Sequence, residues 1–369
     1  MRNRTCDILI LTASFGNGHH SATNALIEKF EALFPYMNVE SADLFEVVSP
    51  KLKEYFSDTY NILTKSKLPI YNGFYQLRNS KDNLVDDIVL KLYYKKFDAF
   101  AKQKNPKMII SVFPTCAQFA SHYKQVWASS LKTVTVITDV VAGWEWIHGN
   151  TDMYFVPSAD VKRELIKKGI SSKQLLVTGV PVRAAFEMPR TKNKNRKNVL
   201  IMASSMGKIS FTQSFLDKLS KMPYGFTIVA GRNEDLITTL ALLDIPENIK
   251  VLSFTKDIPK LMQDSDLIIT KPGGATIFEA IESNLPMLIK SSGVGQEIFN
   301  EAFINKYGFG DSFRYDREIY EKIESLLGNE SYADRIIANM NNFKSSIVKN
   351  EAYIQIMKML KPEFADLSI

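Results

Sequence analysis

"DLIITKPGGATIFEAIESNLPMLIK" runs from Asp266 to Lys290. It decides the fold, because one short stretch holds a whole strand–turn–helix–strand unit. Residues 266–271 form an apolar run of strand length, and Pro272 breaks it. Gly273 and Gly274 supply a tight turn, a helix opens near Ala275, and "LPMLIK" (285–290) is the next strand. Strands joined through a helix pair in parallel. An unbroken apolar run, rather than an alternating one, predicts a strand covered on both faces.

The same grammar extends in both directions. Toward the C-terminal half, "NVLIMAS" (198–204), "FTIVAG" (226–231) and "IKVLSF" (249–254) read as further strands, with helices at 256–264 and 275–284. Toward the N-terminus the strands are "DILILTA" (7–13), "NVESADL" (38–44), "KMIISVF" (107–113), "KTVTVITD" (132–139), "MYFVPS" (153–158) and "LLVTGV" (175–180). A helix over 20–34 puts Ala22, Leu26, Phe30 and Leu33 on one face. The basic, polar stretch at 189–197 reads as a linker. The expectation is α/β: an N-terminal domain over 1–188 and a C-terminal domain over 198–345. Both are doubly wound, Rossmann-like and face an interdomain cleft. The tail from 346 to 369 is helical and fits a crossing back to the first domain.

Composition narrows the class. The chain has 369 residues, 45% hydrophobic and 23% charged, as an ordinary globular protein does. Its two cysteines, Cys6 and Cys116, stand in no metal or redox spacing and suit a reducing compartment. The opening "MRNRTCDILILTAS" reads as a strand rather than a leader, and no run approaches the roughly 20 apolar residues of a membrane span. A cytoplasmic location is expected. The net charge of +6 is concentrated: residues 51–107 hold 12 Lys or Arg against 6 Asp or Glu, interleaved with aromatics. Such a stretch fits attachment to an anionic membrane surface, peripheral on the cytoplasmic face. It also fits a solvated helix face over core aromatics. No nucleic-acid-binding motif accompanies it.

Two segments carry chemistry. In the first, backbone N–H groups where the helix starts after Gly273–Gly274 favour a phosphate. Thr276 can add a hydroxyl, and Glu279 lies on the same helix face, where a carboxylate can accept from a ribose diol. A plain turn with Thr276 and Glu279 as a capping pair explains the same residues. Gln296, Glu297 and Asn300 follow the next strand, and an amide beside a carboxylate suits sugar hydroxyls. The second segment is "FGNGHHSATNAL" (15–26), which sets His19 and His20 beside glycines at the end of the first strand. An imidazole there can take a proton from a hydroxyl, or merely cap the helix. A solvent-facing role is expected for His20.

"TKPGGATIFEA" followed by "LP" and "GQEIFN" resembles the donor-binding region of one family of GT-B glycosyltransferases. It includes the bacterial processive diacylglycerol β-glucosyltransferases and the plant monogalactosyldiacylglycerol synthases. "FGNGHHSATNAL" resembles that family's glycine–histidine loop, and "VTGVPVR" (177–183), "VAGRNEDL" (229–236) and "VLSFTKDIPKLMQDSDLIITK" (251–271) extend the likeness over nearly the whole chain. The resemblance implies a GT-B fold and a UDP-sugar as substrate, with no bound cofactor. It implies the diphosphate near Gly273, Gly274, Ala275 and Thr276, the ribose at Glu279 and the uracil near Phe254 and Thr255. Sugar hydroxyls would meet Gln296 and Glu297, with Asn300 beside them. "ASSMGK" (203–208) matches a glycine-rich loop that retains Gly207. Lys271 or Arg232 would meet phosphate charge, and no clustered ligands call for a metal.

In the N-terminal half, His19 matches the family's loop histidine and is the expected base, with Gly18 letting the acceptor approach. "VITDVVAGWEWIH" (136–148) resembles the family's Asp–x–x–x–His–x–x–Trp region through Asp139, Trp146 and His148. Gly143 stands where the family has histidine. Asp139 is expected to orient His19 or to contact the acceptor. Trp144, Trp146 and His148 are candidate acceptor contacts, against plain packing for the tryptophans. The activity implied is inverting transfer of a hexose, from UDP-glucose or secondly UDP-galactose, to diacylglycerol or a glycosyl-diacylglycerol. A polyprenyl-linked acceptor and a non-catalytic UDP-sugar-binding membrane protein are the alternatives. Gly16-x-Gly18-x-x-Ser21 also nearly fits a dinucleotide loop, but the histidines crowd the pyrophosphate position.

Overall fold

The computed structural model describes residues 6–13, 17–49, 92–190, 196–203, 209–291, 293 and 295–361. Gly207 and the 51–91 part of the basic, aromatic stretch lie outside the described residues. The chain divides into two compact units: residues 1–183 with 346–369, and residues 184–345.

The first unit is a six-stranded parallel sheet in the order β2-β1-β3-β4-β5-β6. Its strands are β1 Ile8–Thr12, β2 Val39–Asp43, β3 Met108–Ser111, β4 Lys132–Val136, β5 Met153–Val156 and β6 Leu175–Val177. β1 and β3 are buried along their whole length, as their unbroken apolar runs predict. Leu9, Leu11 and Ile109 pack on one face, against Phe97 and Phe119 of the helices Tyr94–Lys104 and Pro114–Trp127. Ile8, Ile10 and Ile110 pack on the other, against Leu26 and Phe30 of the helix Asn17–Leu33. The C-terminal helix Lys349–Leu360 joins that second layer through Ala352, Tyr353 and Ile356. Phe30 meets Tyr353 edge to face at 5.2 Å. Each fully buried aliphatic or aromatic side chain here contributes about 1.5–3 kcal/mol.

The second unit repeats the design in the order β12-β11-β10-β7-β8-β9. Its strands are β7 Asn198–Ile201, β8 Gly225–Gly231, β9 Ile249–Ser253, β10 Leu267–Thr270, β11 Met287–Lys290 and β12 Gly310–Phe313. All its pairings are parallel.

Four local readings change. β12, "GDSF", has no apolar run to announce it, and only Phe313 is buried. It pairs with β11 because Gly310 lets the backbones approach: a Cβ there would run into the Met287 carbonyl. β4 stops at Val136, so Asp139 lies in the loop beyond it and not at the strand end. The first helix begins at Asn17 rather than at 20, so His19 joins His20 inside its first turn. The sequence also sets a linker at 189–197, whereas residues 184–190 pack on the second unit. Phe186 is buried, the Ser283 hydroxyl donates to its carbonyl at 3.2 Å, and Arg190 pairs with Asp266 at 2.9 Å.

Candidate active site

In an open parallel sheet, ligands bind beyond the carboxyl ends of the strands where the strand order reverses. In the first unit the reversal falls between β1 and β3. His19 sits there, in the first turn of the helix that follows β1. Its Nδ1 lies 2.9 Å from the Val112 carbonyl, one residue past β3. The Thr138 hydroxyl, two residues past β4, stands 3.2 Å from the same nitrogen. The Phe113 ring closes edge-on at 4.9 Å. Three consecutive strand ends therefore converge on one imidazole.

A carbonyl only accepts, so Nδ1 of the neutral ring carries the proton and Nε2 presents a lone pair. Burial pushes the His19 pKa down to about 4; the bond to Val112 opposes this, and repulsion from His20 adds to it. The ring is therefore neutral at physiological pH. His20, half-buried rather than fully solvent-facing, acts on His19 as a neighbouring charge.

Asp139 does not orient His19. Its carboxylate accepts from the Trp146 indole N–H at 3.3 Å, while Val112 and Thr138 hold the imidazole. Burial, reinforced by Glu145, raises the Asp139 pKa to about 7 against the Trp146 bond. Trp146 is fully buried among Ile137, Tyr154 and Leu165, so it is a core residue and not an acceptor contact. Trp144 is half-buried, with the Lys168 ammonium 5.3 Å from its ring. His148 Nε2 bonds the Glu145 carbonyl at 3.1 Å and helps build the loop. Gly143 has φ −71 and ψ 169, extended backbone that any residue adopts, so conformation does not demand glycine where the family has histidine. Gly18 is half-buried beside His19.

In the second unit the reversal falls between β7 and β10. After β10 the chain turns tightly, Gly273 N–H donating to Lys271 at 2.8 Å, and enters the helix Gly274–Glu282. Gly273 is the N-cap and no side chain caps the helix. This removes the capping-pair explanation, since Thr276 lies inside the first turn. The N–H groups of Gly274, Ala275 and Thr276 have no acceptor within the helix. With the helix dipole they form a cradle for an anion. Glu279, half-buried, stands one turn on.

The helix Gly295–Tyr307 docks on that turn. Asn300 is 2% exposed and its amide donates to the Pro272 carbonyl at 2.8 Å, so it braces the turn instead of facing a donor. Glu297 pairs with Lys271 at 3.2 Å, and Gln296 precedes it, half-buried, in the first turn. At the neighbouring strand ends, the Arg232 guanidinium lies 4.3 Å from the Phe254 ring, which is 50% exposed. That platform can stack a flat base. Thr255 accepts from Asp257 N–H at 3.0 Å and shapes the loop beside it. Among the described residues no group of three His, Cys, Asp or Glu is placed to hold a metal ion. Val112, Phe113 and Thr138 are the site residues that the sequence did not flag. The only signal was Thr138 standing next to Asp139.

Residues 19–182 match the family Monogalactosyldiacylglycerol (MGDG) synthase, and residues 191–343 match Glycosyl transferases group 1. The processive diacylglycerol beta-glucosyltransferase of Bacillus licheniformis is 27% identical over 360 residues, covering 93% of this chain and 92% of that protein. The chain is a glycosyltransferase. This glycosyltransferase has the GT-B fold. It superposes on SnogD of Streptomyces nogalater with a TM-score of 0.63 at 15% identity, covering 97% of this chain and 100% of that one. MurG of Acinetobacter baumannii gives a TM-score of 0.61 at 13% identity, covering 93% and 96%. In the glycosyltransferase, the first family match contains His19 and Asp139, and the second contains the whole Lys271–Asn300 region.

Proposed function

We propose that the enzyme transfers glucose from UDP-glucose to diacylglycerol, and then to the glucosyl-diacylglycerol formed, with inversion to the β-glycoside. The observation that carries this is the likeness along almost the whole chain to processive diacylglycerol β-glucosyltransferases. The site geometry agrees with it. The acceptor hydroxyl loses its proton to Nε2 of His19 and its oxygen attacks the anomeric carbon. The bond to UDP breaks through an oxocarbenium-like transition state. Charge growing on the leaving diphosphate is met by the first-turn amides of Gly274–Thr276 and by Arg232 or Lys271. Glu279 takes the ribose, the Arg232–Phe254 platform the uracil, and Gln296 with Glu297 the sugar hydroxyls. No bound cofactor or metal enters this scheme. Asp139 contacts the acceptor.

The enzyme works at an anionic membrane surface. In the described part of the basic stretch, Lys95, Lys96 and Lys102 are exposed while Phe97 is buried and Tyr93, Tyr94 and Phe100 pack on the core. These aromatics are structural, so any dock over 92–107 is electrostatic, and molar salt should release the enzyme from anionic vesicles. No helix among the described residues is long and apolar enough to cross a membrane.

Gly143, standing where the family has histidine, favours a second reading, a membrane protein that binds UDP-sugar without transferring it. The test is incubation with labelled UDP-glucose, UDP-galactose or UDP-GlcNAc and a panel of lipid acceptors. Label in β-glucosyl-diacylglycerol supports the proposal. Label only in a polyprenyl product, or UDP-sugar binding without transfer, overturns it.

A further inference from the structure

The sequence supplies a carboxylate, Asp139, as the natural partner for a histidine base, and the structure gives that carboxylate to Trp146 instead. The imidazole still needs a partner. Without one, the ring can rotate and exchange tautomers, and only one tautomer presents a lone pair at Nε2. Two oxygens face Nδ1: the Val112 carbonyl at 2.9 Å and the Thr138 hydroxyl at 3.2 Å. Thr138 is 6% exposed and lies two residues past β4, next to Ile137, whose N–H still bonds the Phe155 carbonyl of β5 at 2.9 Å, so its backbone is anchored beside the sheet edge.

We propose that Thr138 is the positioning residue of His19, its hydroxyl sharing the Nδ1 proton with the Val112 carbonyl and fixing the ring with Nε2 toward the acceptor. This rests on the reading that His19 takes the acceptor proton. In the step itself the acceptor O–H bond breaks, its proton goes to Nε2, and the C–O bond to the sugar forms as UDP departs with the bonding pair. The ring becomes an imidazolium, and its Nδ1–H becomes a stronger donor to both oxygens. Neither oxygen carries a formal charge. The pair therefore steadies the cation without raising the resting basicity of the ring as a carboxylate would. The titratable group that acts on the ring is His20, on its own helix. Val112 and Phe113 bring none.

The role separates from simple packing by comparing Thr138→Val, which keeps the shape and loses the hydroxyl, with Thr138→Ser, which keeps the hydroxyl. Thr138→Val should lower kcat about tenfold, the scale of one hydrogen bond, with KM for UDP-sugar and affinity for UDP unchanged. Thr138→Ser should stay within about threefold of the parent, on the same scale. Nitrogen NMR of histidine-labelled protein at pH 7 should show His19 as the Nδ1–H tautomer held by the Val112 carbonyl in all three proteins, with the Nδ1 resonance displaced in the valine variant, where the second acceptor is lost, and parent-like in the serine variant. If Thr138→Val no longer melts cooperatively, Thr138→Ala serves in its place with the same expectations. Parent-level kcat in the hydroxyl-free variant, or a serine variant as slow as it, overturns the proposal. His19→Ala at parent turnover would instead overturn the reading of His19 as base, so the two failures are distinguishable.

Discussion

The two units share one architecture, six parallel strands with the order reversing beside the first, and they use the reversal point in opposite ways. In the first unit it is filled by one uncharged ring, fixed by a backbone carbonyl, a hydroxyl and an aromatic edge. In the second it is lined by uncapped helix amides, a guanidinium on an aromatic face and a Lys–Glu pair. The difference fits the proposed tasks. A proton acceptor must be neutral and held in one tautomer before substrate arrives. A diphosphate cradle needs positive ends of dipoles and movable cations. Chemistry and donor affinity should therefore separate by mutation.

The largest expected effect is His19→Ala, which should lower turnover by about 10²–10⁴, the usual worth of a general base. The check is initial rates of lipid product at saturating donor; a loss below tenfold would break the contrast between the units. Next comes Glu279→Ala in the second unit. It should weaken UDP by about 1–3 kcal/mol, the cost of unpaired polar contacts, in isothermal titration, while the residual kcat falls much less than in His19→Ala.

A third effect sharpens the contrast within the first unit. His19 has its pKa lowered from 6.5 to about 4, so the unfolded chain binds its proton first, and stability is lost as pH falls from about 6.5 to 4. Asp139 has its pKa raised from 3.8 to about 7, so the folded chain keeps its proton longer, and stability is lost as pH rises from about 4 to 7. Asp139→Asn should raise the melting temperature at pH 8, keep only part of that advantage at pH 5 and lose it by about pH 4. An equal shift at pH 8 and at about pH 4 would contradict the raised carboxyl. The smallest effect is Lys271→Gln. Half exposed and paired with Glu297, it should cost under about 1 kcal/mol in stability and show itself as a higher KM for UDP-sugar.

The fold was legible because parallel strands buried on both faces announce themselves as apolar runs, and "DILILT" and "DLIIT" do so without ambiguity. β12 was not, because "GDSF" earns its place through a glycine approaching the Met287 carbonyl, which no local pattern encodes. The placing of His19 and of the Gly273–Gly274 turn beyond the ends of β1 and β10 was legible because a strand, a glycine-bearing turn and a helix follow one another in both segments. Val112 was not, since any residue has a carbonyl, and Thr138 was one hydroxyl among many. Trp146 and Asn300 looked like ligand contacts because an indole and an amide near a motif suit one. Only the packing reveals that both are inside.

The separation of base from donor cradle is tested most directly by titrating UDP into His19→Ala and Glu279→Ala side by side with the parent. The account predicts parent-like affinity for the first and at least a several-fold loss for the second, on the scale of one or more hydrogen bonds. Equal weakening in both, or weakening confined to His19→Ala, would contradict it.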